Sequence, residues 1–525
     1  MVRSLSRVFS VLAVLLVFAA GQPAGQTLPA FDLLIVNGRV LDGSGNPWFR
    51  ADVGIRGDRI VAVGRLAGQP AATVIDARDR FVAPGFIDVH SHALGGLTRP
   101  SLRDGRALLA QGLTTVVGNP DGGGPTDLRA QAAELEADGG IGVNAALLIG
   151  HGSVRRAVIG SADRDPTAAE LHQMKAIVRQ AMADGAFGLS SGLFYVPGRY
   201  AETEEVIALA REAGHLYTSH IRDEGNYDFG VVNSVNEVIR IAEEAGVRGI
   251  VSHMKALGPD SWGQSATLTA NIEAARARGV EVYSDQYPYE ASSTSLGAAL
   301  TLGQGNDAIA EAMSGDESRR LFLEVIRENI RRRGGAASMV MASGRGVRGL
   351  EGQSLEQIAA ARGLTPEQTA VDLLLAGGAS IVSFNMSDQD IDRIMQQPWT
   401  MASSDGGLSE PGEGRPHPRG NGAFARRLAR FVRERGVISI EHAIRTATSL
   451  PARVFDLADR GDVRAGAFAD LVIFDLDRVQ DRATYPDPHQ MSVGFDWVVV
   501  NGRVARREGE FTGVRAGAVL RRAYE

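Results

Sequence analysis

The sequence predicts an α/β fold, a (β/α)8 TIM-like barrel joined to a small β-sandwich that both chain ends build together. Three observations carry this. Between residues 83 and 461, short apolar runs alternate with helical patterns, the signature of a parallel sheet covered by helices. The two ends, 31–82 and 462–525, have a different texture of short strands broken by turn residues. That texture includes a repeated NGRV, at Asn37–Val40 and again at Asn501–Val504, so the ends are expected to pair although they lie far apart in sequence. With 525 residues the chain has room for one large barrel and such an accessory unit.

Composition narrows the function. Apolar residues make up 44% and charged residues 22% of the chain, the balance of an ordinary globular protein. A formal charge of -7 and the lack of a polybasic run leave no electrostatic footprint for nucleic acid, so a small-molecule substrate is the expected partner. Arg3 and Arg7 precede the apolar run Val8–Ala20, with small residues Ala19 and Gly21 ahead of Gln22-Pro23, which reads as a secretory signal peptide over 1–21. The run is short for a bilayer, and no later one is longer, so no stable membrane anchor is expected after cleavage. With no cysteine there is no disulfide and no lipid-carrying thiol. The expected location is periplasmic or secreted, the oligomeric state is left open, and any metal site must use histidine, carboxylate or a modified side chain.

Taken in order, LLIVNGRVLDGSG and DVGIRGDRIVAVG give short strands with hairpin signals at Asn37-Gly38 and Arg56-Gly57-Asp58. DLVIFDLDRV and DWVVVNGRVARREGEFTG repeat that style near the other end. Barrel strands are expected at Phe86–His90, Thr114–Gly118, Ala145–Gly150, Phe187–Ser191, Leu216–His220, Ile250–His253, Val280–Asp285 and Thr400–Asp405, the eight that the barrel needs. Ile381–Met386 reads as a ninth. Helical patterns fall at Ala168–Ala183, Glu204–Ala213, Val232–Ala245 and Leu268–Arg278. The charged stretch Ser295–Arg362 breaks the repeat and is expected to stand over the barrel mouth.

Phe81–His92, FVAPGFIDVHSH, ends an apolar run in two histidines one residue apart, and alternate residues of an extended chain share a face. His220, His253 and Asp405 end three other expected strands, which brings all five to the C-terminal rim where parallel barrels keep their chemistry. One histidine alone says little. Four histidines and an aspartate at four strand ends point to a metal centre, and imidazole with carboxylate suits zinc, with room left for a water.

At this point the chain resembles a known family. The HxH after PGFIDV, Gly150-His151, GLSSGLFYVPG at Gly188–Gly198, SHIRDE, SHMKALG, DQYPYEASST, SSDG and HPRG at His417–Gly420 together resemble the amidohydrolase superfamily, and within it the N-acyl-D-amino-acid deacylases, or D-aminoacylases. The resemblance runs from about Leu34 to Val504, with DQYPY and HPR its more specific pointers to the deacylase branch. It implies a hydrolase holding one or two zinc ions and cleaving N-acyl-D-amino acids to a carboxylate and a free D-amino acid. His90, His92, His220, His253 and Asp405 are then the metal ligands, and Asp405 also takes the proton of water and returns it to the leaving nitrogen. His151 would help the oxyanion. By the family pattern Lys255, Tyr287 and Arg419 hold the substrate carboxylate.

There is one departure. Where the family has GNCG, with the cysteine a zinc ligand, this chain reads Gly118-Asn119-Pro120-Asp121-Gly122. Proline cannot ligate, so Asp121 is either a replacement ligand or only a support for the DGGGP loop. LSSG offers no lysine for a carbamylated bridge. Arg222 and Glu224 are expected to brace the rim. A D-specific dipeptidase or carboxypeptidase-like enzyme would use the same residues, and a cyclic amidase would need no carboxylate clamp. Retention of Asp405 speaks against a mere metal- or amino-acid-binding protein.

Overall fold

The eight runs expected as barrel strands all become parallel strands in the computed structural model, which describes residues 30–522; the expected signal segment lies outside them. The strands are β1 (Phe86–Asp88), β2 (Leu113–Gly118), β3 (Asn144–Leu147, continued by Ile149–Gly150), β4 (Leu189–Gly192), β5 (Leu216–His220), β6 (Arg248–Val251), β7 (Val282–Gln286) and β8 (Thr400–Ala402). Each pairs in parallel with the next. The Asp405 amide donates to the His90 carbonyl and the His92 amide to Gly406, each at 2.9 Å, joining the end of β8 to β1 and closing the ring. Strands such as β2 and β5 are buried along their whole length, as expected of parallel strands covered on both faces. Inside the barrel Val117, Ala146, Leu148, Leu216, Ile250 and Met401 pack with Leu450 and Phe455. Helices fall close to the expected positions. Ala168–Ala183 begins at a capping box of Thr167 and Glu170, which satisfies two orphan donors of the first turn.

The two ends do pair. Phe81–Pro84 runs antiparallel to Leu471–Phe474, in register Phe81 with Phe474, and joins five N-terminal and four C-terminal strands into one nine-stranded sheet. The sheet curls until the Ile60 amide donates to Ala467 at 2.9 Å, enclosing Leu33, Val53, Ile55, Ile75, Leu471 and Val499. Asn37 and Asn501, the two NGRV asparagines, both have positive φ, which asparagine tolerates better than most residues. The last strand, Val519–Leu520, leaves this sheet and pairs in parallel with Ala145–Ala146 of β3. It covers an edge that β4 leaves free, because β4 reaches only Ile149 and Gly150, and an unpaired edge is unfavourable.

The interruption before β8 is larger than the stretch Ser295–Arg362. Ala291–Ser295, Met339–Ser343 and Ser380–Phe384 form a three-stranded antiparallel sheet with helices around its own core of Leu296, Phe322, Ile326, Leu355 and Ile381. This accounts for the apparent ninth strand. Ser380–Phe384 lies between two antiparallel partners and has no edge left for the barrel. Among the described residues no helix is long and apolar enough to cross a membrane.

Candidate metal centre

Two kinds of backbone event deliver the side chains to the rim. On β5, Leu216, Thr218 and His220 share the inward face, so His220 arrives by simple alternation. His253 does not. Ile250 packs inside the barrel and Val251 against the outer helices, so alternation would send His253 outward. A left-handed backbone at His253, φ 35°, re-aims it. Asp121 and Asp405 sit at φ 56° and 49°, and such strain is characteristically held at functional sites. The Asp121 loop fits because it meets glycine. A Cβ on Gly150 would lie 2.1 Å from the Gly123 carbonyl, and one on Gly192 2.3 Å from that of Asp121.

The Asp121 carboxylate ends among all four histidines. Oδ1 lies 3.2 Å from His90 Nε2, 3.5 Å from His253 Nε2 and 3.7 Å from His220 Nδ1, and Oδ2 lies 3.3 Å from His92 Nε2. Asp405 Oδ1 stands 3.2 Å from His92 Nε2 and 3.7 Å from His90 Nε2. His220 Nδ1 and His253 Nε2 face each other at 2.9 Å. Thus the structure brings the six expected ligands together, and the Asp121 carboxylate faces the cluster from the start of the DGGGP loop, a position open to either of its two expected roles.

The charges call for a cation. Burial opposes a charged ring at His253, yet the surrounding carboxylates lift it to about 10, and at the more exposed His92 the Asp121 and Asp405 carboxylates lift the ring to about 9. Burial would raise Asp121 and Asp405, but the histidines around Asp121, and Arg419 with His253 and His92 around Asp405, hold both well below the usual carboxylate range. His220, desolvated, falls to about 4. His90 Nε2, His220 Nε2 and Asp121 Oδ1 are buried without a hydrogen-bond partner. Unpartnered buried polar atoms are costly, and four imidazoles with two carboxylates are a donor set that fits zinc or a similar divalent ion. The residues present fit a metal.

Support comes from just behind. Asp88, pushed up to about 6 by burial, accepts from the His90 amide at 3.3 Å, the Ser404 amide at 2.9 Å and the Ser404 hydroxyl at 2.5 Å, tying the His90 segment to the Asp405 segment. Arg222 braces the rim as expected, donating to Glu237 at 2.8 Å and the Ala201 carbonyl at 2.9 Å. Glu224 does not merely brace. It lines the cavity, sits 3.0 Å from His253 Nδ1 and pairs with Lys255. A carboxylate on the far nitrogen of a ligand histidine fixes its tautomer. Its position four residues after His220 was the available signal.

A cavity of about 380 Å³ opens over the cluster. Lys255, Tyr287 and Arg419 line one side, with the Tyr287 ring between the two cations: Arg419 is 4.8 Å and Lys255 Nζ 5.4 Å from its centroid. The Tyr287 hydroxyl is buried and unpartnered. Arg419 Nη1 holds Asp405 Oδ2 at 2.6 Å, so one clamp residue also grips the expected base. Tyr195 packs against His220 with ring centroids 4.6 Å apart and the planes tilted by 46°. The sequence contained it, in GLFYVPG, without a cue to its role.

His151 is a correction. Its Nε2 is 2.8 Å from Glu205 Oε1, inside a fully buried network with Arg155, and it does not line the cavity. It stands at the first turn of the helix His151–Ile159 with Nε2 taken by Glu205, outside the residues that line the cavity over the metal cluster.

The family model for amidohydrolases matches residues 73–213 and 309–506, spanning β1 to β4 and, beyond the first part of the insertion, β8 and most of the C-terminal strands. The chain belongs to the amidohydrolase family. This amidohydrolase is 38% identical to an N-acyl-D-glutamate deacylase of Alcaligenes xylosoxydans xylosoxydans, over 94% of this chain and 96% of that protein. It is 37% identical to a D-aminoacylase of the same organism, over 94% and 98%. Among solved structures it superposes on the N-acyl-D-glutamate deacylase from Bordetella bronchiseptica, complexed with zinc and a phosphonate inhibitor, with a TM-score of 0.80 and 36% identity over 94% of this chain and 99% of that one. A crystal structure of D-aminoacylase matches with a TM-score of 0.79 and 35% identity, over 94% and 100%.

Proposed function

We propose that the protein is a zinc-dependent deacylase of N-acyl-D-amino acids, acting on small-molecule substrates outside the cytoplasm. One observation carries the reading: five of the six expected ligands, His92, Asp121, His220, His253 and Asp405, line the same cavity as the Lys255–Tyr287–Arg419 carboxylate clamp, with His90 grouped beside Asp121, His253 and Asp405. A cyclic amidase has no use for the clamp. The D configuration rests on the relatives, both of which carry it in their names.

His90, His92, Asp121, His220, His253 and Asp405 would hold one or two zinc ions. When bound, zinc acidifies water and polarises a carbonyl. Asp405, kept ionised by Arg419 and its histidine neighbours, takes the proton of the attacking water at Oδ1, the oxygen that faces His90 and His92. It then passes that proton to the amide nitrogen, so that a neutral amine departs. Arg419 fixes the other oxygen and, with Lys255 and the free Tyr287 hydroxyl, takes the α-carboxylate. Turnover of N-acetyl-D-amino acids together with measured metal content tests the reading. Hydrolysis of the L series alone, or of cyclic amides alone, would overturn it.

Arg419→Lys replaces a two-pronged donor with a point charge. It should lower kcat/KM for an N-acyl-D-amino acid by about 10- to 100-fold, the worth of a charged hydrogen bond. Because Arg419 also touches Asp405, the same variant is measured on the substrate's C-terminal amide. An equal loss on acid and amide would remove the clamp role.

For location, the reading rests on Arg3, Arg7 and the Val8–Ala20 run. Sequencing the protein recovered from the periplasm or medium should find a new amino terminus near Gln22; retention of Met1 in the cytoplasm would refute export.

A further inference from the structure

Three consecutive arginines close the helix Asp316–Arg332 of the insertion, and they have different fates. Arg331 pairs with Asp260 at 2.7 Å and Glu328 at 2.8 Å, and Arg332 with Glu328 at 3.3 Å. Arg333 turns inward, is 2% exposed, and lines the cavity over the metal cluster. Its contacts are hydroxyls: Nη1 donates to Tyr227 Oη at 2.9 Å, Nη2 to Ser292 Oγ at 3.1 Å and Nε to Ser383 Oγ at 3.3 Å. Among the described residues no carboxylate pairs with it, whereas the other two cations of the cavity are engaged, Arg419 by Asp405 and Lys255 by Glu224.

A buried guanidinium without an anion costs free energy that neutral hydroxyls recover only in part. A strut between the insertion and the barrel would need no charge. Of the five N–H groups of an arginine three are used, which leaves one on each Nη, the pair that grips a carboxylate side by side. The rest of the wall agrees. Every cavity residue that the insertion supplies is polar: Ser292, Ser293, Thr294, Ser295, Ser380 and Arg333. The apolar lining, Phe194 and Leu257, comes from outside the insertion, so the polar wall belongs to the element that carries Arg333.

We infer that Arg333 forms a second anion subsite, so that the preferred substrates carry a second carboxylate beyond the α-carboxylate, on the amino-acid side chain or on the acyl group. This deepens the deacylase reading and rests on it for the identity of the scissile bond. The two sources are separated by isosteric pairs: N-acetyl-D-glutamate against N-acetyl-D-glutamine for the side chain, and N-succinyl-D-leucine against its terminal amide for the acyl group. In one pair the acid should exceed the amide by about 10- to 100-fold in kcat/KM, and R333Q should bring that ratio close to one. Equal rates within both pairs, or a ratio that survives R333Q, would overturn the subsite. Because R333Q could unfold by cutting three contacts, calorimetry on the metal-loaded wild-type enzyme compares glutarate with glutaramate. Glutarate should bind about tenfold or more tightly, and equal affinities would again overturn the subsite. If no N-acyl-D-amino acid is hydrolysed at all, the deacylase reading falls, while the glutarate comparison still decides Arg333.

Discussion

Asp405→Asn is expected to lower kcat by about 10²–10⁴, the range of a positioned general acid–base group, when assayed with zinc in excess so that the site is filled. The side chain keeps its shape and its place at the end of β8 but loses the charge that receives a proton. Asparagine also frees Arg419 from the ion pair at 2.6 Å, so KM for a carboxylate substrate should hold or fall while kcat collapses. Near wild-type turnover with full metal occupancy would take the proton-transfer role away from Asp405 and leave it a supporting acid.

The second large effect concerns metal. His253→Ala should lose metal and activity together, with affinity down by an order of magnitude or more, since even partners behind a ligand are worth 10- to 100-fold. Asp121→Asn is the sharper probe. Asparagine tolerates the left-handed backbone at φ 56° that alanine would strain, so the change removes the charge and spares the loop. If Asp121 stands in for the missing thiolate, the variant should bind zinc at least tenfold more weakly by calorimetry. The wild-type enzyme, lacking that soft ligand, should give up zinc to chelators readily and accept oxygen-preferring ions such as manganese. Unchanged zinc affinity in Asp121→Asn would reduce Asp121 to a loop residue.

Much of this site could be read along the chain because parallel barrels gather strand ends. His90, His92, His220 and Asp405 each terminate an apolar run, and the fold converts that order into proximity. The clamp residues came from a resemblance in motifs, and the cavity does bring Lys255, Tyr287 and Arg419 together. His151 shows the weakness of motif reading. Gly150-His151 stands at a strand end, but the ring's direction depends on Glu205, 54 residues later. Glu224 reads along the chain only as a rim brace, and Arg333 is passed over, for the same reason: an acid after a strand and an arginine among arginines look like surface charge until the partners across the cavity are known.

The sequence by itself determined the architecture, because hydrophobic periodicity and turn residues act locally and state which segments are strands, which are helices, and where each stops. It also determined the kinds of donor available at the rim and, through the absence of cysteine, excluded a thiolate. Only the tertiary structure decided how those donors converge. His253 reaches the cluster against strand alternation through one left-handed residue, Asp121 reaches it because Gly150 and Gly192 leave the loop space, and Ser380–Phe384 is kept out of the barrel by its antiparallel partners. Each depends on contacts between segments tens to hundreds of residues apart, and steric fit, hydrogen-bond pairing and charge neutralisation exist only once those segments meet.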